Sequence, residues 1–169
     1  MILAGAGADP VTEAQVMAAL ADVADPEIPV VSIVDLGMVG SVRLEADRIG
    51  VSLLPTFVGC PALDAIRSAV ESRLGDFGRA LDIRFDYRVP WTSDRITADG
   101  RAKLRASGFA PPSPGEAAAP ILVQLLAPVP CPHCGSGRTV LESAFGPTQC
   151  RAIYHCAACR QPFEAFKPV

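Results

Sequence analysis

The sequence is poor in the features that mark several large functional classes. Positive charge is scarce: 15 Lys and Arg face 18 Asp and Glu, for a net charge of −3 and a pI of about 5.3. That balance argues against a general nucleic-acid binder. No apolar run approaches the length that spans a bilayer, so no membrane association is expected. Met1 to Pro10 has neither a basic region nor a long apolar stretch. It is expected to be a flexible N-terminus and not a signal peptide. There is no internal repeat, no phosphate-binding glycine loop and no nucleophile–base pair. The expected compartment is the cytoplasm, where thiols stay reduced. Paired cysteines there indicate metal or redox chemistry before disulfides.

What the chain does have is concentrated near its end. Five of the six cysteines lie at or beyond Cys131. Cys131-Pro132-His133-Cys134 and Cys156-Ala157-Ala158-Cys159 are two C-x-x-C pairs. Each pair forms a knuckle that points two thiolates at one ion, and two knuckles complete a tetrahedral shell. The interval from Gly135 to His155 is slightly longer than usual, and a longer hairpin absorbs the difference. So short a segment buries too little apolar surface to fold alone, which makes a metal its expected staple. Four thiolates leave zinc no open position, so the expected role is structural. A rubredoxin-like iron centre would use the same ligands. His133 and His155 each adjoin a ligand and are expected to face solvent. Cys150 lies six residues before Cys156 and faces the same way on an extended strand. It is a substitute ligand, a thiol beside the metal, or a small buried residue.

The rest of the chain is expected to build a core, since 50% of the sequence is hydrophobic. Val11–Val23 reads as a helix with Thr12 as N-cap, Gln15 completing a capping box and Val11 and Val16 as a staple. Asp25-Pro26 is expected to end it. Ser41–Glu45 and Ile49–Leu54 read as a hairpin. Leu63, Ile66, Val70 and Leu74 fall at helical spacing, with Gly75 as the expected C-cap glycine. Leu81–Val89 alternates throughout, with Leu81, Ile83, Phe85, Tyr87 and Val89 expected to face inward. A short helix from Thr97 to Ala106 is stopped by Gly108. The expected fold class is α+β. A small mixed α/β domain covers residues 11–109, a Pro/Ala-rich linker 110–130, and a zinc-ribbon mini-domain 131–169.

Cys60 is the one cysteine outside the final segment. It sits in Thr56-Phe57-Val58-Gly59-Cys60-Pro61, between a strand and a helix. Pro61 suits the first helical position, which makes Cys60 the expected N-cap. A thiol there faces free N–H groups and the positive end of a helix dipole, and both favour the thiolate. On these grounds a reactive or metal-binding thiol and a buried structural cysteine weigh evenly. Asp25-Pro26-Glu27 places two carboxylates beside a rigid turn, for which a solvated turn is the default reading. Asp35, in Val34-Asp35-Leu36-Gly37, lies in a similar loop. Trp91 is expected to pack in the core.

Three segments together carry a resemblance: Asp25 to Pro29, Ser32 to Gly37, and Thr56 to Pro61. They resemble a family of small iron–sulfur-assembly domains that includes the SufT-like proteins, over roughly residues 11–90. Val89 to Asp94, Gly100 to Pro112 and Phe145 to Cys150 extend the similarity to the PaaD (PaaJ) accessory proteins of bacterial phenylacetate degradation. That resemblance implies a cytoplasmic accessory or maturation factor for the multicomponent phenylacetyl-CoA epoxidase, without catalysis of its own. The system's diiron oxygenase and its flavin and iron–sulfur reductase are the implied partners. Cys60 becomes the implied iron or iron–sulfur ligand, with Asp25 and Glu27 near it and Thr56 and Gly59 shaping its loop. The ribbon cysteines Cys131, Cys134, Cys156 and Cys159 would hold structural zinc.

One thiolate does not hold an iron–sulfur cluster, which normally takes four protein ligands. A homodimer pairing two Cys60 residues, a partner that supplies ligands, and transient transfer each meet that difficulty. The alternative function is a non-catalytic adaptor that holds oxygenase and reductase together. A thiol oxidoreductase has less support, because Cys60 has no resolving cysteine nearby in sequence.

Overall fold

The computed structural model describes residues 11–57, 59–115 and 128–167. The expected flexible N-terminus and residues 116–127 of the expected linker lie outside them. Helix α1 (Glu13–Ala21) starts as its sequence predicts. The Thr12 hydroxyl accepts from the Gln15 N–H, and the Thr12 N–H donates to the Gln15 side chain at 2.8 Å. The helix stops at Ala21, well before Pro26, because the Asp22 and Val23 N–H groups turn back onto Ala19 and Leu20. The proline is therefore not the stop.

Strands β1 (Val39–Leu44) and β2 (Arg48–Leu53) form the expected antiparallel hairpin. Helix α2 (Leu63–Gly75) then crosses over and returns β3 (Ala80–Phe85) parallel to β2. Ile66, Val70 and Leu74 form its buried face. Gly75 is the last helical residue and not the stop expected of it; Asp76 caps the helix. Strand β3 is shorter than its alternating pattern. Its ladder ends where β2 ends, with Leu53 opposite Phe85. Asp86 then accepts from the Arg88 N–H and guanidinium and closes a turn. Tyr87 and Val89, expected to face inward, are 58% and 48% exposed.

Helix α3 (Ala98–Ala106) is capped by Thr97, whose hydroxyl accepts from the Gly100 N–H. The loop from Ser32 to Gly37 is built onto the segment before it. Asp35 is buried and accepts from the Ser32 N–H, the Ser32 hydroxyl and the Lys103 ammonium at 2.6 Å. Gly37 has φ +65°, and a Cβ there would run into the Arg95 carbonyl.

The second sheet has four strands. Strands β5 (Thr139–Ser143), β6 (Arg151–Cys156) and β7 (Pro162–Phe166) form an antiparallel meander. Strand β4 (Phe109–Ala110) joins it parallel to β7. The two sheets share a core. Phe166 of β7 is 3% exposed, its ring 5.8 Å from Trp91, and the Trp91 indole N–H donates to the Leu36 carbonyl at 2.8 Å. Ala110, Cys131, Cys156, Phe163 and Ala165 form a smaller cluster under the cysteines. No helix among the described residues is long and apolar enough to cross a membrane.

Candidate metal centres

The four paired cysteines meet at one point. Cys131 and Cys134 lie on the knuckle before β5, Cys156 ends β6, and Cys159 lies on the turn from β6 to β7. Cys131 Sγ is 3.7 Å from Cys159 Sγ, and Cys134 Sγ is 3.6 Å from Cys156 Sγ. All four sulfurs lie within 4.8 Å of one another. Sulfurs around a tetrahedral zinc lie about 3.8 Å apart, given a Zn–S bond of about 2.3 Å. The donor set therefore fits a four-coordinate, closed metal site. The Cys159 and Ala158 N–H groups pull the Cys156 thiol down to about 6 against its burial, while at Cys159 the Gln161 N–H is outweighed by burial and by the neighbouring thiols, which push it up to about 12. Backbone donors of this kind prepare a thiolate for a cation.

Cys150 is not part of this group. Strand β6 begins only at Arg151, so no strand aims Cys150 with Cys156, and the six residues of β6 at about 3.3 Å each put roughly 20 Å between them. Cys150 lies just before β6, at the opposite end of the ribbon from the four thiols. There it lines a small cleft with Cys60, Glu27, Thr56 and Thr148. The Thr148 hydroxyl is 3.0 Å from Cys150 Sγ.

Cys60 reaches this cleft by a route that differs from the expected one. Helix α2 begins at Leu63 with Ala62 as its N-cap, so Cys60 precedes the cap and does not form it. The Leu63 N–H closes a turn onto the Cys60 carbonyl. Gly59 takes φ +80° in open space, so its backbone angle rather than crowding asks for glycine. Burial pushes the Cys60 thiol up, against the lowering effect of the Ala62 N–H, and the nearby charges of Glu27, Cys150 and Asp25 add to the rise. The expected thiolate-favouring environment is therefore reversed: burial and the facing carboxylates outweigh what the helix end contributes. Cys150 is pushed up for the same leading reason, burial, with the Thr148 hydroxyl and Arg151 opposing and Glu27 and Asp25 adding to it.

The two acids of the turn divide their work. Asp25 accepts from the Glu27 and Ile28 N–H groups at 2.9 and 2.8 Å. It shapes the turn, and Glu27 is the one that lines the cleft. Spacing along the chain gives no sign that Cys150 and Cys60 line one cleft. Nor does it single out Arg151, which is buried and joins Glu27 to the ribbon.

Comparisons with known proteins follow the same division. Residues 13–79 match the family model "Iron-sulfur cluster assembly protein", and residues 120–167 match "PaaD zinc beta ribbon domain". A protein of Escherichia coli K12, provisionally named as a subunit of 1,2-phenylacetyl-CoA epoxidase, is 37% identical over 154 residues, covering 90% of this chain and 91% of its own. A protein of Porphyromonas gingivalis named as an Fe-S protein maturation auxiliary factor is 35% identical over 55% of this chain and 90% of its own. Among solved structures, a DUF59 domain from Bacillus anthracis matches with a TM-score of 0.51 and 27% identity, over 54% of this chain and 90% of its own. A conserved hypothetical protein of Thermotoga maritima gives 0.51 and 25%, over 58% and 98%. An iron–sulfur-assembly-like α/β unit thus carries a C-terminal ribbon with four converging thiols, and the chain belongs to the PaaD family.

Proposed function

We propose that this chain is an accessory factor for a multicomponent 1,2-phenylacetyl-CoA epoxidase, carrying iron or an iron–sulfur centre to it through Cys60. One observation carries the reading. Cys60 opens into a cleft beside Glu27, inside the portion that matches the iron–sulfur assembly family. The likeness, over 90% of this chain, to a protein named as an epoxidase subunit supports that choice of client. In this reading the chain is not itself an enzyme and works in the cytoplasm. Zinc in the ribbon is structural, and the oxygenase and reductase subunits are the partners. Iron is cargo, held by Cys60 with Glu27 beside it and Thr56 and Gly59 shaping the loop.

The test is metal and sulfide analysis with a visible spectrum on anaerobically purified protein, wild type beside Cys60→Ser. One zinc per chain in both, with iron lost only in the variant, is the expected result. Equal iron in both would remove Cys60 from the reading.

A second reading has its own observation. Val140, Leu141 and Phe145, on and after the edge strand β5, are 61%, 42% and 80% exposed. An adaptor that holds epoxidase subunits together would use such a surface. It predicts stable co-purification that Cys60→Ser leaves unchanged.

A further inference from the structure

We propose that the free edge of β3 is an interface between two copies of this chain, which pair their β3 strands antiparallel about Ile83. Strand β3 ends the first sheet, whose order is β1-β2-β3, and among the described residues no strand pairs with its outer edge. Ala80–Phe85 holds neither the proline nor the bulge that would blunt such an edge. Unpaired backbone groups along a strand are a template for another strand.

Two hydrogen bonds fix which backbone groups face outward. The Ala80 N–H donates to the Asp47 carbonyl at 2.9 Å, and the Asp86 N–H to the Leu53 carbonyl at 2.8 Å. Ala80, Asp82, Arg84 and Asp86 therefore turn their backbone groups toward β2, and Leu81, Ile83 and Phe85 turn theirs to the free edge. The Ile83 carbonyl accordingly accepts from Arg67 Nη1 of α2 at 3.1 Å, and the Arg67 guanidinium lies 5.1 Å over the Phe85 ring. A carbonyl has two lone pairs, so that bond leaves a second acceptor direction open.

The sequence of β3 is complementary to itself when reversed about Ile83. In the antiparallel pair Ile83 faces its own copy, Leu81 faces the partner's Phe85, and Asp82 faces the partner's Arg84. The three edge-facing residues then form the hydrogen-bonded pairs. Asp82 and Arg84 fall in the non-hydrogen-bonded pairs, where opposed side chains come closest. Within one chain Arg84 Nε already meets Asp82 at 2.7 Å, with 74% of the Arg84 side chain exposed. Across the two-fold axis, two such pairs interleave into a ring of alternating charge. Opposite charges directly across a sheet stabilise the pairing, and like charges oppose it. An axis on Asp82 or Arg84 would set like charges opposite each other. An axis on Phe85 would run the pairing into the turn that Asp86 and Arg88 close. The contact is isologous and joins two three-stranded sheets into one. This inference goes beyond the carrier reading and does not rest on it. It needs no Cys60, and so differs from a dimer that pairs two such thiols.

The test is sedimentation velocity of the full chain, with its ribbon metal, over a range of concentrations. Wild type is expected to pass from monomer to dimer as concentration rises. Asp82→Arg sets two cations opposite each other in both charged pairs, and Arg84→Asp sets two carboxylates there. Each should weaken the dimer at least about tenfold. An equimolar mixture of the two variants should dimerise as wild type does, because each supplies the charges that the other lacks. That recovery also shows that both variants fold. The chain carrying Asp82→Arg and Arg84→Asp together should dimerise by itself, and Cys60→Ser should match wild type. A wild type that stays monomeric at every concentration overturns the proposal. So do single variants that dimerise as wild type does, a mixture that stays monomeric, or a dimer lost in Cys60→Ser.

Discussion

Arg151 and Glu27 stand 124 residues apart in sequence, and the Arg151 Nη2 donates to the Glu27 carbonyl at 2.5 Å. The guanidinium also pairs with Glu164 at 2.9 Å and lies over the Phe109 ring at 5.3 Å. A single buried cation thus ties the ribbon to the acidic turn and to β4.

Removing that cation should cost both stability and alignment. Arg151→Ala leaves the Glu27 carbonyl and the Glu164 carboxylate without their partner, at a cost of about 3 kcal/mol. A lowered urea midpoint with the ribbon metal retained is the expected outcome. Arg151→Lys should recover only part of the loss, since one ammonium does not reproduce the fork.

The shared core predicts a second loss. Phe166 fills space beside Trp91 between the two sheets. Phe166→Ala should destabilise the protein by about 3 kcal/mol through the cavity it leaves. Thermal unfolding should show one transition at lower temperature.

Metal removal should be visible from the same place. Trp91 is the only tryptophan, and β7 carries both Phe166 and the strand beside the metal knuckle. Chelation of the ribbon metal should release the meander, because the cluster under the thiols is small. A red shift of Trp91 emission on adding chelator, reversed by zinc, is expected. Unchanged emission would mean that the ribbon keeps its packing without metal.

Acid stability should depend on Asp35. Burial raises its pKa, but the Lys103 ammonium and the Ser32 hydrogen bonds outweigh burial and hold it below the ordinary carboxylate value. A lowered folded pKa stabilises the protein above the unfolded value, and that stabilisation is lost as pH falls through the folded one. Asp35→Asn should therefore lower stability at neutral pH and flatten the acid limb below about pH 4. A pH series of urea midpoints measures both.

Much of this was legible in the sequence where local chemistry decides the outcome. Thr12 and Gln15 announce a capping box, and the spacing of Cys131, Cys134, Cys156 and Cys159 announces a four-thiolate centre. The misreadings share one cause, which is that distant partners decide. Tyr87 and Val89 alternate like strand residues, but β2 offers them no ladder. Cys60 resembles an N-cap, but α2 begins beyond it and the acidic turn faces it. Cys150 reads as an extended residue facing the way of Cys156, yet β6 begins after it and it lines a cleft with Cys60. No periodicity encodes that meeting; it follows from β4, Phe166 and Arg151 seating the ribbon on the first unit.

Delivery of iron to the epoxidase through Cys60 is the function proposed for this chain. Its most direct measurement is the iron content and phenylacetyl-CoA turnover of the epoxidase oxygenase, co-expressed with wild type or with Cys60→Ser. An iron-deficient, inactive oxygenase is expected with the variant, while the variant itself keeps its ribbon metal and fold. Full iron occupancy and full turnover beside Cys60→Ser would contradict it.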